Sequence, residues 1–325
     1  MPTSLRIATF NLENLDDRPG QRPTLAERID VMRPQLERLR ADILCLQEVN
    51  GQEQQNQPRR LLALDDLLDG TPYENYFRAS TLTANNEVYD ERNLVILSRF
   101  EIAERQQIKH DLAPAPRYQK VTASPAETEA KEITWERPIL YARIDLDGQR
   151  TLHVINVHLK SRIPTTIAGR IANDVWSNAS AWAEGSFISA MKRVGQALEI
   201  RMLIDSLFDA DADAMIAVCG DFNADYMEEP MEGIRGTIEN TNNPALVKRV
   251  LVPCENTVPE PARFSLYHQG QGRMLDHLLV SRSLLAHYRG TEIHNEILHD
   301  ESVAFTTDRK FPESDHAPVI AEFQI

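Results

Sequence analysis

The residues in this chain that could do chemistry collect where apolar runs end. "IAVCGDFNA" delivers Asp221 and Asn223 two residues apart, "IATF" is followed by Asn11, "ILCLQ" by Glu48 and "VINV" by His158, and Asp315-His316 stand just before "APVIAEF". An acid, an amide or an imidazole at each of these ends is a set able to move a proton, hold an anion or bind a hard cation. Loops at strand ends are where α/β proteins assemble sites. Any one Asp or Asn in such a place is a turn former; the coincidence of several is what points to a site. Glu48 stands out singly, because an ionised carboxylate extending a near-continuous apolar strand needs a partner or a metal.

Strands and helices must position these groups. "LRIATF" (5–10), "DILCLQEV" (42–49), "NLVILS" (93–98), "ILYARIDL" (139–146) and "TLHVINVHL" (151–159) read as strands from their β-branched and apolar content. "TLAERIDVMRPQLERLRA" (24–41) spaces apolar residues three and four apart, opens on Thr24 with Glu27 three later, and carries Pro34 where a kink or restart is expected. In the second half, 191–208 reads as a helix, and 214–219, 273–281 and 317–323 as strands. Interleaving of this kind belongs to the α/β or α+β classes. Two loops rich in proline and polar residues, 113–132 and 253–264, read as mobile rather than as linkers, because strands resume on each side.

A length of 325 residues with 42% hydrophobic content buries a large core, and we expect one domain over 1–325. The 35 basic and 49 acidic side chains leave a net charge of −14, so a phosphate-bearing partner would need a bound cation or a local basic patch. Three scattered cysteines, Cys45, Cys219 and Cys254, form no disulfide framework. With no signal-peptide pattern and no apolar run long enough to span a membrane, the expectation is a cytoplasmic protein, and the sequence names no protein partner. Asn178-Ala179-Ser180 matches a glycosylation sequon by chance in that setting.

"FNLEN" (10–14), "LQEV" (46–49), "NVHLKS" (156–161), "GDFNA" (220–224), "LDHLLVS" (275–281) and "SDHAPV" (314–319) resemble, in order and approximate spacing, the motifs of the endonuclease/exonuclease/phosphatase superfamily. The resemblance runs from Phe10 to Val319. It implies a four-layered α/β sandwich: two sheets packed face to face, helices outside, and a site at one edge where loops from both sheets meet.

The resemblance also implies roles. Glu48 would be the principal ligand of a Mg²⁺ ion, for which Mn²⁺ could substitute, with Asn11 as a neutral ligand or supporting partner and Asp315 either contributing to a second cation or raising the His316 pKa by its charge. Asp221 would lie near the attacking water, and Asn223 would hold the phosphate or orient that water without adding negative charge. His316 is the other candidate base, with Asp276 fixing its tautomer; a cationic His316 would instead stabilise the phosphoryl charge. His158 resembles the histidine of the DNase I and sphingomyelinase branches, an acid or an anion stabiliser. Asn93 matches a position near the phosphate.

Other patterns are look-alikes. "DADADA" (209–214) lacks the glycine and the glutamate of an EF-hand, Asn295 breaks the zincin spacing in "HNEILH" (294–299), and no Walker-type loop occurs. His277 reads as a packed or surface imidazole, and His110, His153 and His268 carry no motif. The stretch 161–190 interleaves Trp176, Trp182 and Phe187 with Arg162 and Arg170, which could clamp nucleic acid or could pack an insertion onto the sheet. The sequence therefore favours a metal-dependent nuclease or phosphodiesterase acting on DNA, RNA or another phosphodiester. The alternative is a phosphomonoesterase or lipid-head-group phosphodiesterase of the same fold. A catalytically silent binding module is disfavoured, since Glu48, Asp221 and His316 are all present.

Overall fold

A computed structural model describes residues 4–55, 57–307 and 309–325. Two six-stranded sheets make up its centre. The first contains β1 (Ser4–Leu15), β2 (Ile43–Val49), β3 (Phe77–Ser80), β4 (Asn93–Ser98), β11 (Tyr288–Ile293) and β12 (Val319–Gln324), in the order β11-β12-β1-β2-β4-β3. The second contains β5 (Ile102–Ile108), β6 (Ile139–Asp145), β7 (Thr151–His158), β8 (Met215–Asp221), β9 (Val252–Pro253) and β10 (Asp276–Val280), in the order β9-β10-β8-β7-β6-β5. Each sheet has one parallel pair at its centre, β1 with β2 and β7 with β8, and the other neighbours run antiparallel.

Helices α1 (Leu25–Leu39) and α2 (Leu62–Leu68) cover the outside of the first sheet; α3 (Ala179–Ala210) and α4 (Glu229–Arg235) cover the second. A core that includes Ile7, Cys45, Ile96, Leu140, Val154, Cys219 and Leu278 fills the space between the sheets. The strands β2, β4, β7 and β8 are thus apolar on both faces, as strands covered on both sides must be. This is the four-layered sandwich that the motifs implied. Thr24 and Glu27 form a full capping box, and α1 runs through Pro34 without restarting.

The polar residues buried between the sheets set their relative position. Asn156 on β7 donates from Nδ2 to Leu46 O (3.0 Å) on β2 and Val95 O (2.9 Å) on β4, and its Oδ1 accepts from Gln47 Nε2 at 2.7 Å. Gln47 in turn meets Thr9 on β1. A register shift after Leu46 in the β2–β4 pairing lies beside this tie, one residue before Glu48. Asn156→Ala would leave two buried carbonyls and an amide short of partners. We expect it to lower stability by about 2–4 kcal/mol, read as a shift in the urea midpoint without change in slope; a loss under 1 kcal/mol would show that the sheets are held by apolar packing alone.

The structure corrects one expectation about mobility. The 113–132 loop packs on the 161–190 insertion around Ala123, Ile133, Ile167 and Ile188. Glu184 clamps it, accepting from Tyr118 Oη (2.9 Å), Val121 N (2.5 Å), Thr122 N (2.9 Å) and the Thr122 hydroxyl. In 253–264, Glu255 is buried and bonded to His277 Nδ1 at 2.6 Å, so of the two readings of His277 the structure shows the packed one. No helix among the described residues is long and apolar enough to cross a membrane.

Candidate phosphoryl-transfer site

Strand polarity explains why the residues converge. The parallel pairs β1/β2 and β7/β8 end at the same edge of the sandwich, bringing Asn11, Glu48, His158 and Asp221 there. The antiparallel strands β10 and β12 begin at that edge, contributing Asp276 and, just before β12, His316. Within the second sheet, His158 is paired with Asp221 and Asp221 with Asp276, so the three form one row across neighbouring strands. Gly220 makes this row possible: at φ 142°, a Cβ there would lie 1.9 Å from Val157 O.

Asp221 is the hub. Its Oδ2 accepts from Asn11 Nδ2 (3.2 Å) across the two sheets and from Asn223 Nδ2 (3.0 Å), and lies 3.3 Å from His158 Nε2 and 4.0 Å from His316 Nε2. Oδ1 accepts from Asn223 N at 2.8 Å, an Asx turn that holds Asn223 in the left-handed region. Burial pushes the Asp221 carboxyl up to about 7, with Asp276 adding to the shift and His316 opposing it.

The two histidines are driven apart. His316 Nδ1 is 2.7 Å from Asp276 Oδ2, and Asp276 is itself fixed by its backbone N–H on Ser265 Oγ. Burial opposes charge on His316, but the carboxylates of Asp276, Asp221 and Asp315 outweigh it and hold the ring well above its ordinary range. His158 is pushed well below that range by burial, then by Arg137 and His316. One imidazole is therefore cationic and its neighbour neutral.

Hard oxygen ligands gather on one side. Glu48, at φ 58° in the left-handed region, has Oε1 3.6 Å from His158 Nε2 and accepts from Asn14 N at 3.0 Å. Glu13, two residues beyond Asn11, accepts from Asp315 N at 3.0 Å. Burial raises both Glu13 and Asp315, and in Asp315 the Glu13 charge adds to it. Asp315 Oδ1 is buried without a hydrogen-bond partner. The orphaned Asp315 oxygen and the Glu48 carboxylate are donors that fit a hard divalent cation; Asn11, whose Oδ1 accepts from Glu13 N at 2.9 Å, stands as a supporting partner. Asp221, Asp276 and His316 also present ligand atoms within 4.8 Å of one another. There Asp276 Oδ2 is taken by the His316 ring, His316 Nε2 stands 4.0 Å from Asp221 Oδ2, beyond hydrogen-bond reach, and Asp276 Oδ1 has no partner.

Cations gather on the other side. Arg137, at the start of β6, reaches His158 O (3.4 Å) and keeps a buried Nε–H without a partner. Arg162 donates to Asn223 O (3.3 Å) and to Glu228 (2.8 Å), which puts it at the rim. Two sequence candidates are not brought here. Asn93 is wholly buried and uses both side-chain atoms on Thr81, Tyr89 and Val49, while Arg170 bonds Thr122 O in the 113–132 loop. Glu13 and Arg137 went unread in the sequence. Glu13 lies inside the "FNLEN" motif, two residues after Asn11, and that position could have found it, although β1 is irregular there with Glu13 at φ 46°; nothing local marks Arg137.

Comparison with known proteins agrees with this geometry. An endonuclease/exonuclease/phosphatase family protein from Bacteroides thetaiotaomicron aligns over 100% of this chain and 96% of its own, at 17% identity and a TM-score of 0.61. Truncated TDP2 from Caenorhabditis elegans aligns over 99% and 98%, at 15% identity and TM-score 0.58. An AP endonuclease from Archaeoglobus fulgidus aligns over 99% and 100%, at 15% and 0.51. At such identities the likeness is one of fold. No curated protein matches the chain. Residues 8–316, every strand-end group described above among them, match the Endonuclease/Exonuclease/phosphatase family, and the chain belongs to that family.

Proposed function

We propose that the protein is a divalent-metal-dependent phosphodiester hydrolase, a nuclease acting on DNA or RNA by in-line attack of an activated water, and that residues 1–325 work as one domain. The observation that carries this reading is the buried row His158–Asp221–Asp276, with the Glu48 and Asp315 carboxylates near it and the Arg137 guanidinium, one N–H of it unpartnered, against His158. Its three buried cysteines, all free, suit a cytoplasmic setting.

A bound Mg²⁺ ion, or Mn²⁺ in its place, would supply the charge that neutralises the phosphoryl oxygens. The chain's own residues do the rest. Asp221 accepts the proton of the attacking water at Oδ2, its carboxyl raised by burial and so made a stronger base than an exposed one. Arg137 Nε donates to a phosphoryl oxygen and the cationic His316 ring adds positive charge beside it, while Asn223 Nδ2, which donates to Asp221 Oδ2 and Leu159 O, orients the Asp221 carboxylate. His158, neutral, offers an N–H rather than a charge. Arg162 at the rim takes a neighbouring phosphate of a polymer.

The test is hydrolysis of a chromogenic phosphodiester against the matching monoester, with Mg²⁺ or Mn²⁺. The diester should be cleaved, and cleavage should vanish with chelator. Turnover of the monoester alone would replace this reading with a phosphomonoesterase of the same fold. Glu48→Gln should raise the Mg²⁺ concentration for half-maximal rate by at least about 10-fold. An unchanged half-maximal concentration in that titration removes Glu48 from the ligand set.

A further inference from the structure

Consecutive residues of β10 each enter a carboxylate–imidazole pair, one on either face of the sheet. Asp276 meets His316 at the catalytic edge. Strand alternation turns His277 to the opposite face, where its ring stands edge-on to Phe222, centroids 5.1 Å apart, in the layer that α3 and α4 cover. His277 and Glu255 are both buried there, and a buried ionisable pair is costly unless its polar atoms find partners. All of them do: Nδ1 is 2.6 Å from Glu255 Oε1, Nε2 is 2.9 Å from Ala224 O, and Glu255 Oε2 accepts from Leu278 N at 3.4 Å.

A carbonyl only accepts, so Nε2 carries a proton and donates it to Ala224 O. That bond ends on the loop that presents the Asp221 carboxylate. Within the loop Phe222 N is held by Leu275 O at 2.8 Å, Asn223 N by Asp221 Oδ1 at 2.8 Å, and Leu159 O accepts from Asn223 Nδ2 at 3.1 Å. Ala224 follows directly, and His277 fixes its carbonyl from the far face of the sheet. Asn223, left-handed at φ 47°, hangs between these anchors.

We propose that His277 and Glu255 are positioning residues for the hydrolysis, a role that rests on the phosphodiester-hydrolase reading: the imidazole fixes the Ala224 carbonyl, Ala224 fixes Asn223, and Asn223 aims the Asp221 carboxylate, while Glu255 holds the ring. Neither residue touches the reacting atoms. Their effect is on aim, and a catalytic group misplaced by about 1 Å costs about 10²-fold in rate.

Two amides in place of His277 separate anchoring from filling. In His277→Gln the NH₂ reaches the place of Nε2 and still donates to Ala224 O; in His277→Asn it reaches only the place of Nδ1 and meets Glu255 alone. With both assayed below their melting temperatures, His277→Asn is expected to lower kcat for the chromogenic diester about 10²-fold with KM within about 3-fold, and His277→Gln to keep kcat within about 5-fold of the parent. Equal losses in the two variants, parent-like kcat in His277→Asn, or a loss confined to KM would each overturn the proposal. Hydrogen exchange at the Phe222 and Asn223 amides should quicken in His277→Asn and not in His277→Gln. That comparison needs no substrate, so a parent inactive on the diester would remove the hydrolase reading, whereas equal exchange in the two variants would remove the anchor. Should the variants not fold, NMR of the histidine side chains in the parent decides: a slowly exchanging proton on His277 Nε2 is expected, and an Nε2 without a proton overturns the assignment.

Discussion

Asp221→Asn is expected to slow phosphodiester turnover about 10³-fold while moving folding stability by no more than about 1 kcal/mol. The first half follows from the hub position of the carboxylate. Its Oδ2 is the acceptor on which Asn11, Asn223 and His158 converge, and the neutral amide that replaces it cannot take a proton. The second half follows from two opposed effects. Removing a carboxylate held up to about 7 by burial relieves the cost of keeping it there. The amide NH₂ that takes the place of one oxygen, however, faces N–H donors from Asn223 or Asn11, a mismatch worth about 1 kcal/mol. Steady-state rates under saturating Mg²⁺, measured beside a thermal melt, read both. Wild-type turnover would remove Asp221 from the chemistry, and a lost rate with a collapsed melt would mean that the residue only holds the edge together.

Where the site was legible in the sequence, position along a strand explains it. Asn11, Glu48, His158, Asp221 and His316 each follow or precede an apolar run, and strands that end at one edge deliver them together. Asn93 shares that kind of position, yet the first sheet turns it inward, where Thr81 and Tyr89 consume its oxygen. The difference between the two cases is tertiary and leaves no local mark. Arg137 is hidden for the same reason: its value comes from lying against His158 O, and His158 is 21 residues away in the chain. The fold shows a parallel pattern. The strand β5, "IAERQQI", lies at a sheet edge with mostly polar, exposed residues, so no apolar run announces it. The first part of α3 carries Gly185 and several serines, which read as loop, and it is helical because Ile188 packs on Ile167 and Glu184 clamps the loop opposite.

The pair His316–Asp276 carries the other large effect. His316→Ala is expected to lower the rate about 10²–10⁴-fold, because it removes the one ring that the surrounding carboxylates keep positively charged beside Asp221. His158 cannot take over, since burial and Arg137 keep it neutral. Asp276→Asn should be milder, near 10²-fold, because its amide still meets the His316 ring but no longer adds a charge behind it. Asp276 acts through His316, so the two losses should not add, and the double variant should be no slower than His316→Ala alone. Multiplicative losses in that cycle would mean that Asp276 has its own contact with the reaction, for which its unpartnered Oδ1 would be the first place to look. Non-additive losses would instead fix the order of action across the edge: Asp276 orients His316, His316 supplies charge, and Asp221 receives the proton.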